Sequence, residues 1–540
     1  MTVKPCISTG SPSLAATFVA CLLCASCALP DAVEPGPRHA RSVQARTTPQ
    51  LAPGTRRPSA PAEIPQDVPT SLTLREALRM ALESNKDIKV DALGSEADRE
   101  RVEAEKGQFD PELFAELTRG RTDEPVAGAP VTHEATADGE LSVGITDRAV
   151  TGTTLSVAVS TDYERDLDVP GEPDPAYAPE LRLTVEQELL RGFGAGVNRV
   201  PILIARNNAR VSREEWRATV IRTLFEVERA YWELYFGTAD LRVREQQLVR
   251  AERLVGTAEA QVKVGISAPL DVVRARSSAA SQEVALVNAR SRVAQLRHAL
   301  LRLLGVIAPA EPAPALTPTD APPALSFAQT LADSVAVALQ NRPDQAQALL
   351  ALDTAALQAR LAKNERLPSL KVFGNYALAG LGDDFADGTD VLSDGDFDTW
   401  SVGMRFEVPI PNRTGRANYS AARLDRTRAA VRLKALEEVV TRDVADALTE
   451  LRAAEERISQ ARRSRELAQQ VVDAEEKSFT LGRSNSRDVL DAQASLATAE
   501  RDEVRARVDQ AIALANLYRV QGVLVEKKGI AIEGGVAPPP

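Results

Sequence analysis

Histidine, cysteine and clustered acidic side chains are the groups whose types and spacing could perform chemistry in this chain. It has only three histidines in 540 residues, too few to favour a histidine-based catalytic or metal site. No glycine-rich phosphate loop follows a strand pattern, and no nucleophile has a plausible base and orienting acid. Enzymatic activity, a cofactor and a bound metal are therefore not predicted. The net charge of −11 also disfavours a nucleic-acid partner, which would require a basic face.

Cysteine chemistry is confined to the start of the chain, because all four cysteines lie within the first 27 residues. An apolar stretch at 14–28 follows Lys4 and has the length of a signal-peptide core, but is short for a spanning helix. Small residues precede Cys27, as in a bacterial lipoprotein signal, which predicts cleavage and lipidation at Cys27. An ordinary signal peptide cut nearby is the alternative. The rest of the chain offers neither a disulfide framework nor a thiolate metal site.

An internal duplication organises the chain after residue 70. Thr73 and Thr330 open similar helix-capping patterns 257 residues apart. Further on, Gly265 and Gly482 match at an offset of 217, which places about 40 extra residues in the first copy, between 117 and 180. The predicted organisation is a signal peptide (1–27), a flexible Pro-rich tether (28–70), repeats at 71–305 and 326–525 joined by a Pro-rich linker (306–325), and a flexible tail (526–540).

Helices of unusual length must carry each repeat. In the first copy, apolar residues recur every seven positions at Val220, Val227, Leu234, Leu241, Leu248, Val255 and Val262. This spacing predicts a coiled-coil helix over about 199–263, roughly 90 Å long at 1.5 Å per residue. The second copy keeps the frame except at Arg465. Each long helix ends at a short glycine turn, and the chain returns as a second helix over 269–305 or 487–522.

Between the helices the hydrophobic period changes to two. Apolar residues alternate with polar ones at 141–145, 155–159, 181–185, 370–376 and 400–408, with an acidic Gly/Asp loop predicted at 380–399. Such strands suit a half-buried soluble sheet or a lipid-facing barrel. An exported chain with isolated alternating strands beside very long helices favours the barrel. Four to six strands are too few to close one, so a homo-oligomer is predicted.

These features together resemble the TolC-like outer-membrane efflux factors over about residues 72–525. The closest matches are SFTLGRSNSRDVLDAQASL at 478–496, its first-half counterpart VKVGISAPLDVVRARSS at 262–278, and QELLRGFGAGVNR at 187–199. The resemblance implies a mainly α fold with a β-barrel portion: two tandem repeats whose long antiparallel coiled-coil helices form a periplasmic tunnel. It also implies a homotrimer with four strands per protomer, sharing one transmembrane barrel in outer-membrane lipid.

The same resemblance implies a passive duct for efflux or type I secretion, which meets an inner-membrane pump through a periplasmic adaptor protein. The family's entrance is narrowed by aspartate rings, which fall here on Asp488 and Asp491, with Asp271 as the first-half equivalent. A ring of carboxylates on a shared axis attracts cations. The alternative is that Asp271 and Asp488 are helix-start acids favoured by the helix dipole.

The turns after the long helices are the predicted docking tips for the adaptor. They comprise Val264, Gly265 and Ser267 in the first copy, and Leu481, Gly482 and Ser484 in the second. The alternative is that these segments are only turns. Some family members close the gate with an aromatic hydroxyl and an arginine, but the aligned residues here are Phe479 and Ser484, leaving Arg483 and Arg487 as nearby substitutes.

Two alternatives remain open from the sequence. The extra residues of the first copy contain a hairpin near 140–160, which could add two barrel strands per protomer or lie outside the barrel as a loop. A periplasmic coiled-coil scaffold without a pore is the alternative function, although the alternating strands argue against it.

Overall fold

A computed structural model describes residues 71–126, 132–166, 176–265, 268–306, 316–323, 329–481 and 483–530. The predicted signal peptide with Cys27 and the tether lie outside these ranges, as do Ser267 and Gly482. Within them, helices and strands follow one another in the same order twice, as the internal duplication predicts.

The first repeat contains two short helices, four strands and a long helical hairpin. These are α1 (Leu74–Ser84), α2 (Lys86–Lys106), β1 (Glu112–Val126), β2 (Thr132–Arg148), β3 (Thr153–Asp166), β4 (Ala176–Glu188), α3 (Val200–Lys263) and α4 (Pro269–Leu303).

The second repeat has the same plan with two strands. These elements are α5 (Leu331–Asn341), α6 (Pro343–Glu365), β5 (Ser369–Ala379), α7 (Phe385–Asp394), β6 (Asp398–Glu407), α8 (Arg413–Thr480) and α9 (Ser486–Val520). Single helical turns add Gly107–Phe109, Ala195–Asn198 and Leu524–Lys527, and two-residue strands Ser71–Leu72 and Thr317–Pro318 pair in parallel.

Local capping confirms the predicted helix starts. The Thr73 side chain accepts a hydrogen bond from the Glu76 amide, and the Glu76 carboxylate accepts one from the Thr73 amide, completing the capping box of α1. In the second copy, the Thr330 side chain accepts from the Asp333 amide at the start of α5. These bonds satisfy backbone donors that no helical turn can pair.

The main core surrounds the middle of α3. Trp232 and Tyr231 are the largest fully buried side chains there, packed among apolar residues of α1, α4 and α9. The linker and the C-terminal turn contribute to this core: Leu316 is fully buried, and Lys528 pairs with Glu228 at 2.5 Å. Packing therefore continues five residues beyond 525, where the sequence predicts a flexible tail to begin.

The predicted coiled-coil frame is correct for only part of α3. Val220, Val227 and Leu234 are fully buried, but the next four predicted positions are half-buried. Beyond Leu234, toward the C-terminal end of α3, the buried face instead includes Gln247 and Leu254. The face rotates because the neighbours change, although α4 and α9 contact both parts: α1 packs on the part with Val220 and Leu234, whereas the part with Leu254 contacts Phe479 of α8. Gln247 Nε2 also donates to a backbone carbonyl of α9 at 3.4 Å.

The six long strands form one antiparallel sheet in the order β1-β2-β3-β4-β5-β6. The sheet does not close on itself, so β1 and β6 are its two edges. The hairpin near 140–160 lies inside this sheet as β2 and β3, paired from Thr136↔Asp166 to Arg148↔Thr154. The sequence reasoning did not single out β1, whose apolar alternation is limited to Leu113, Ala115 and Leu117.

The acidic segment 380–399 is not simply a loop, as the sequence predicts, because α7 occupies its centre. The Asp384 side chain caps α7 by accepting from the Asp387 amide, and Gly395 ends it in the left-handed conformation at φ 70°. Across the described ranges, no helix combines the length and apolar character needed to cross a membrane.

Candidate functional site

The two long helices end at matching positions of the repeat, α3 at Lys263 and α8 at Thr480. Gly265 adopts a φ of 81° directly after α3, the left-handed conformation that glycine supplies at helix ends. Val264 and Leu481 occupy equivalent positions at the offset of 217, and each is 69% exposed. Both tips thus present an apolar side chain to the surroundings at the same point of the repeat. Of the other predicted tip residues, Ser267 and Gly482 lie outside the described residues.

A small apolar cluster holds the tips together. Its four buried residues come from four different helices: Leu254 (α3), Ala275 (α4), Phe479 (α8) and Val489 (α9). Phe479 is 3% exposed. Phe479 is therefore a buried apolar anchor, and its ring carries no hydroxyl that could donate a hydrogen bond.

Asp488 and Asp491 lie on the exposed surface at the start of α9. The Asn485 side chain caps this helix by accepting from the Asp488 amide at 3.2 Å, and the helix dipole favours the Asp488 carboxylate there. Because the two aspartates are three residues apart, they share one helix face. Asp491 faces Arg487 at 3.7 Å, but both side chains are 75% exposed, so this pair contributes little stability.

Asp271 has a different environment from its predicted equivalents. Its side chain is only 14% exposed, and its Oδ1 atom accepts a hydrogen bond of 2.7 Å from the Ser486 hydroxyl at the start of α9. Arg274 lies 3.8 Å away. Asp271 thus joins the first hairpin to the second, whereas Asp488 and Asp491 point away from the packed interior.

Sequence reasoning missed the polar contacts made by glutamines near the tips. Gln261 Nε2 donates to the Phe479 carbonyl at 3.1 Å and ties the first hairpin to the second. Gln493 Nε2 on α9 donates to Glu476 on α8 at 2.9 Å and braces the second hairpin itself. Ser484, predicted as a docking residue, donates its hydroxyl to Glu475 at 2.8 Å. Glutamines on helix faces carry no spacing signal of their own, so only the packing of the two hairpins identifies them.

The chemistry available at the tips is electrostatic and apolar rather than catalytic. The exposed carboxylates act as fixed negative charges, and the exposed apolar side chains offer contact area. In the part of the chain that the structure describes, no group of three or more His, Cys, Asp or Glu side chains is arranged to hold a metal ion.

Known outer membrane efflux proteins are similar to this chain in sequence. The outer membrane efflux protein family matches residues 180–306 and 335–523. The outer membrane efflux protein BepC of Brucella suis is 25% identical over 343 residues, covering 63% of this chain and 71% of BepC. The solvent efflux pump outer membrane protein SrpC of Pseudomonas putida is 25% identical over 454 residues, covering 82% and 84%.

Solved structures share the fold. The open-state MtrE outer membrane channel of Neisseria gonorrhoeae aligns with a TM-score of 0.60 at 19% identity, covering 84% of this chain and 89% of MtrE. The VceC outer membrane protein of Vibrio cholerae aligns with a TM-score of 0.59 at 18% identity, covering 83% and 96%. With the family match extending over more than half of its length, the chain belongs to the outer membrane efflux protein family and is a TolC-like efflux channel of the Gram-negative outer membrane.

Proposed function

We propose that three copies of this chain form a passive duct, which an inner-membrane pump supplies through a periplasmic adaptor protein. The observation that carries the proposal is the open sheet, whose two edges leave strand hydrogen-bonding groups unpaired. A spanning sheet must satisfy these groups in lipid by closing, and six strands from one chain are too few. Neighbouring copies supply the missing pairing.

The entrance of this duct is narrowed by the carboxylates of Asp488 and Asp491. Both are exposed on one face of α9 near its tip, and threefold symmetry would place three copies of each around the axis. Charges of one sign that line a narrow passage attract counter-ions and repel ions of their own sign. Asp271 is a positioning residue in this arrangement, because its carboxylate is engaged by Ser486.

The adaptor contacts the exposed apolar tips. Val264 and Leu481 are large apolar side chains left in solvent at equivalent turns. Isolated exposed apolar residues are ordinary on protein surfaces; support for docking comes from their repetition at matched positions. Three protomers would present six such tips in a ring, which suits an adaptor that binds in several copies.

Single-channel conductance in planar bilayers tests the pore and the gate. The variant Asp488→Asn/Asp491→Asn removes both charges and preserves shape, and Glu100→Gln/Glu103→Gln removes an equally spaced exposed pair from α2. We expect a small cation-selective conductance that loses selectivity only in the aspartate variant. Unchanged selectivity would refute the gate while keeping the duct. No conductance from a well-folded oligomer of the parent chain would refute the duct itself.

A further inference from the structure

The additional hairpin β2–β3 lies in the middle of the sheet and not at its margin. β1 pairs with β2 along the whole length of β1, from Glu112↔Thr146 to Val126↔Thr132. β3 pairs with β4 from Thr153↔Gln187 to Glu164↔Ala176. β1 and β4 do not pair with each other. Removing the hairpin from the sheet would therefore break two full ladders and leave four strand edges.

One face of the sheet is apolar across all six strands. Directly paired residues form an unbroken row, the apolar row: Leu113, Ile145, Val157, Leu183, Tyr376 and Trp400. Every member is between 37% and 72% exposed. The hairpin residues Ile145 and Val157 thus continue the same surface as the flanking strands, and this surface is left uncovered by the protein.

The opposite face is polar in the adjacent row. This polar row consists of Glu112, Thr146, Ser156, Thr184, Asn375 and Ser401. Its side chains bond across strands: the Thr146 hydroxyl donates to Ser156 at 3.1 Å, and the Thr184 hydroxyl donates to Asn375 at 2.9 Å. In β2–β5 these polar residues are less exposed than their apolar neighbours. An apolar exposed face with a polar, more enclosed face is the pattern of a membrane barrel wall.

The turn that joins β2 to β3 is fixed at the helical end of the sheet. The carbonyl of Thr151 accepts from the Gly194 amide at 2.9 Å, and Asn198 Nδ2 donates to the Val150 carbonyl at 3.1 Å. The Glu188 amide donates to the Gly152 carbonyl at 3.2 Å. The turn of the hairpin is thus bonded to the segment that joins β4 to α3, and the hairpin extends from it in the same direction as the other strands.

We propose that β2 and β3 are membrane-spanning strands of the barrel, so that each protomer contributes six strands and the trimer forms an eighteen-stranded barrel. This inference rests on the proposed trimeric duct. Because six is even, β1 and β6 run antiparallel, and β1 of one copy can pair with β6 of the next in the sheet's own pattern. Barrel diameter rises roughly linearly with strand number, so this barrel is about 1.5 times as wide as a twelve-stranded one, with an aqueous lumen.

Single-cysteine variants test which face of the hairpin meets lipid. Ile145→Cys and Val157→Cys probe the apolar row, whereas Thr146→Cys and Ser156→Cys probe the polar row. Leu183→Cys and Thr184→Cys on β4 are the matched control pair. The unsubstituted chain, which has no cysteine after residue 27, reports background labelling. The probe is a small charged maleimide applied to trimers in lipid vesicles.

An apolar environment raises the pKa of a thiol, and each pKa unit lowers the reactive thiolate about tenfold. We therefore expect Ile145→Cys and Val157→Cys to label at least about tenfold more slowly than Thr146→Cys and Ser156→Cys. Equal labelling in the hairpin, with the β4 pair still different, would overturn the inference but keep the duct. Equal labelling in β4 as well, without trimers or conductance, would refute the proposed function.

A second measurement needs no substitution. Electron microscopy of the parent protein in lipid nanodiscs should resolve eighteen strands around the lumen. A trimer with twelve strands would overturn the inference while leaving the proposed duct intact.

Discussion

Replacing Tyr231 by phenylalanine should remove the hydrogen bonds that join the long helix α3 to Leu72 and to Asp320. The Tyr231 hydroxyl lies 3.0 Å from the Leu72 carbonyl oxygen and 3.2 Å from Asp320 Oδ2, and it accepts the Asp320 amide at 3.1 Å. The same carboxylate accepts from the Leu74 amide at 2.6 Å. Since the substitution removes the acceptor of the Asp320 amide and one donor to the Leu72 carbonyl, we expect a loss of about 1–3 kcal/mol at neutral pH.

The loss should depend on pH in a defined direction. Burial, together with the charge of Asp320, raises the pKa of Tyr231 from 10.0 to about 12. An unfolded chain releases this proton near pH 10 while the folded chain retains it, so the tyrosine's contribution is complete below pH 10 and is lost as the pH rises to 12. A rise of this size is worth at most about 3 kcal/mol. The phenylalanine variant lacks this term.

The assay is thermal unfolding of the purified protein in detergent at pH 8 and pH 11.5. The gap between the parent chain and Tyr231→Phe should narrow at the higher pH. Tyr235→Phe, on the same helix, removes a hydroxyl without touching Leu72 or Asp320 and is the matched control. A gap that is the same at both pH values would refute the reasoning that the buried hydroxyl ionises only on unfolding.

Three further substitutions test packing and capping, two through the unfolding midpoint and one through protease cleavage. Gly522→Ala should cost about 2 kcal/mol or more, because Gly522 has a φ of 73° and a Cβ would lie 2.6 Å from the Asn341 oxygen; Gly94→Ala, with open space around it, should not destabilise, and equal losses would contradict this. Phe479→Ala should cost about 3–5 kcal/mol locally and speed protease cleavage at the tips, whereas Phe479→Leu should retain most of the resistance; unchanged cleavage would contradict the anchor role. Thr73→Ala should cost about 1 kcal/mol and Thr73→Ser much less, so equal midpoints would argue against the cap.

The long helices and their turns were predictable because their signals are local and repeated. Heptad spacing, the glycine after each helix and the duplicated caps act within a few residues of where they are read. The same frame fails beyond Leu234 because α1 gives way to α8 among the neighbours of α3, and no single periodic pattern reports such a change. The pairing of Asp271 with Ser486 was equally hidden, since the partners are 215 residues apart.

The sheet shows a second limit of sequence reasoning. The hydrophobic pattern does not predict β1 because only its first few residues alternate, and its long polar part extends the ladder through backbone bonds that any side chain allows. The segment with α7 favours a loop prediction because aspartate and glycine dominate it, although Asp384 and Gly395 are also suitable ends for a helix. Whether the hairpin joined the sheet depended on its partners, which spacing alone does not identify.

The bond between Asp271 and Ser486 has a mechanical consequence. A hydrogen bond to a charged group contributes about 1.5–3 kcal/mol, and this one joins the first hairpin to the second. If the second hairpin moves outward, either the first hairpin moves with it or this hydrogen bond breaks. Spin labels at Lys263 and Thr480 test this coupling. The distribution of distances between the labels should be broader in Asp271→Ala than in the parent chain. An unchanged distribution would show that the hairpins move together without this hydrogen bond.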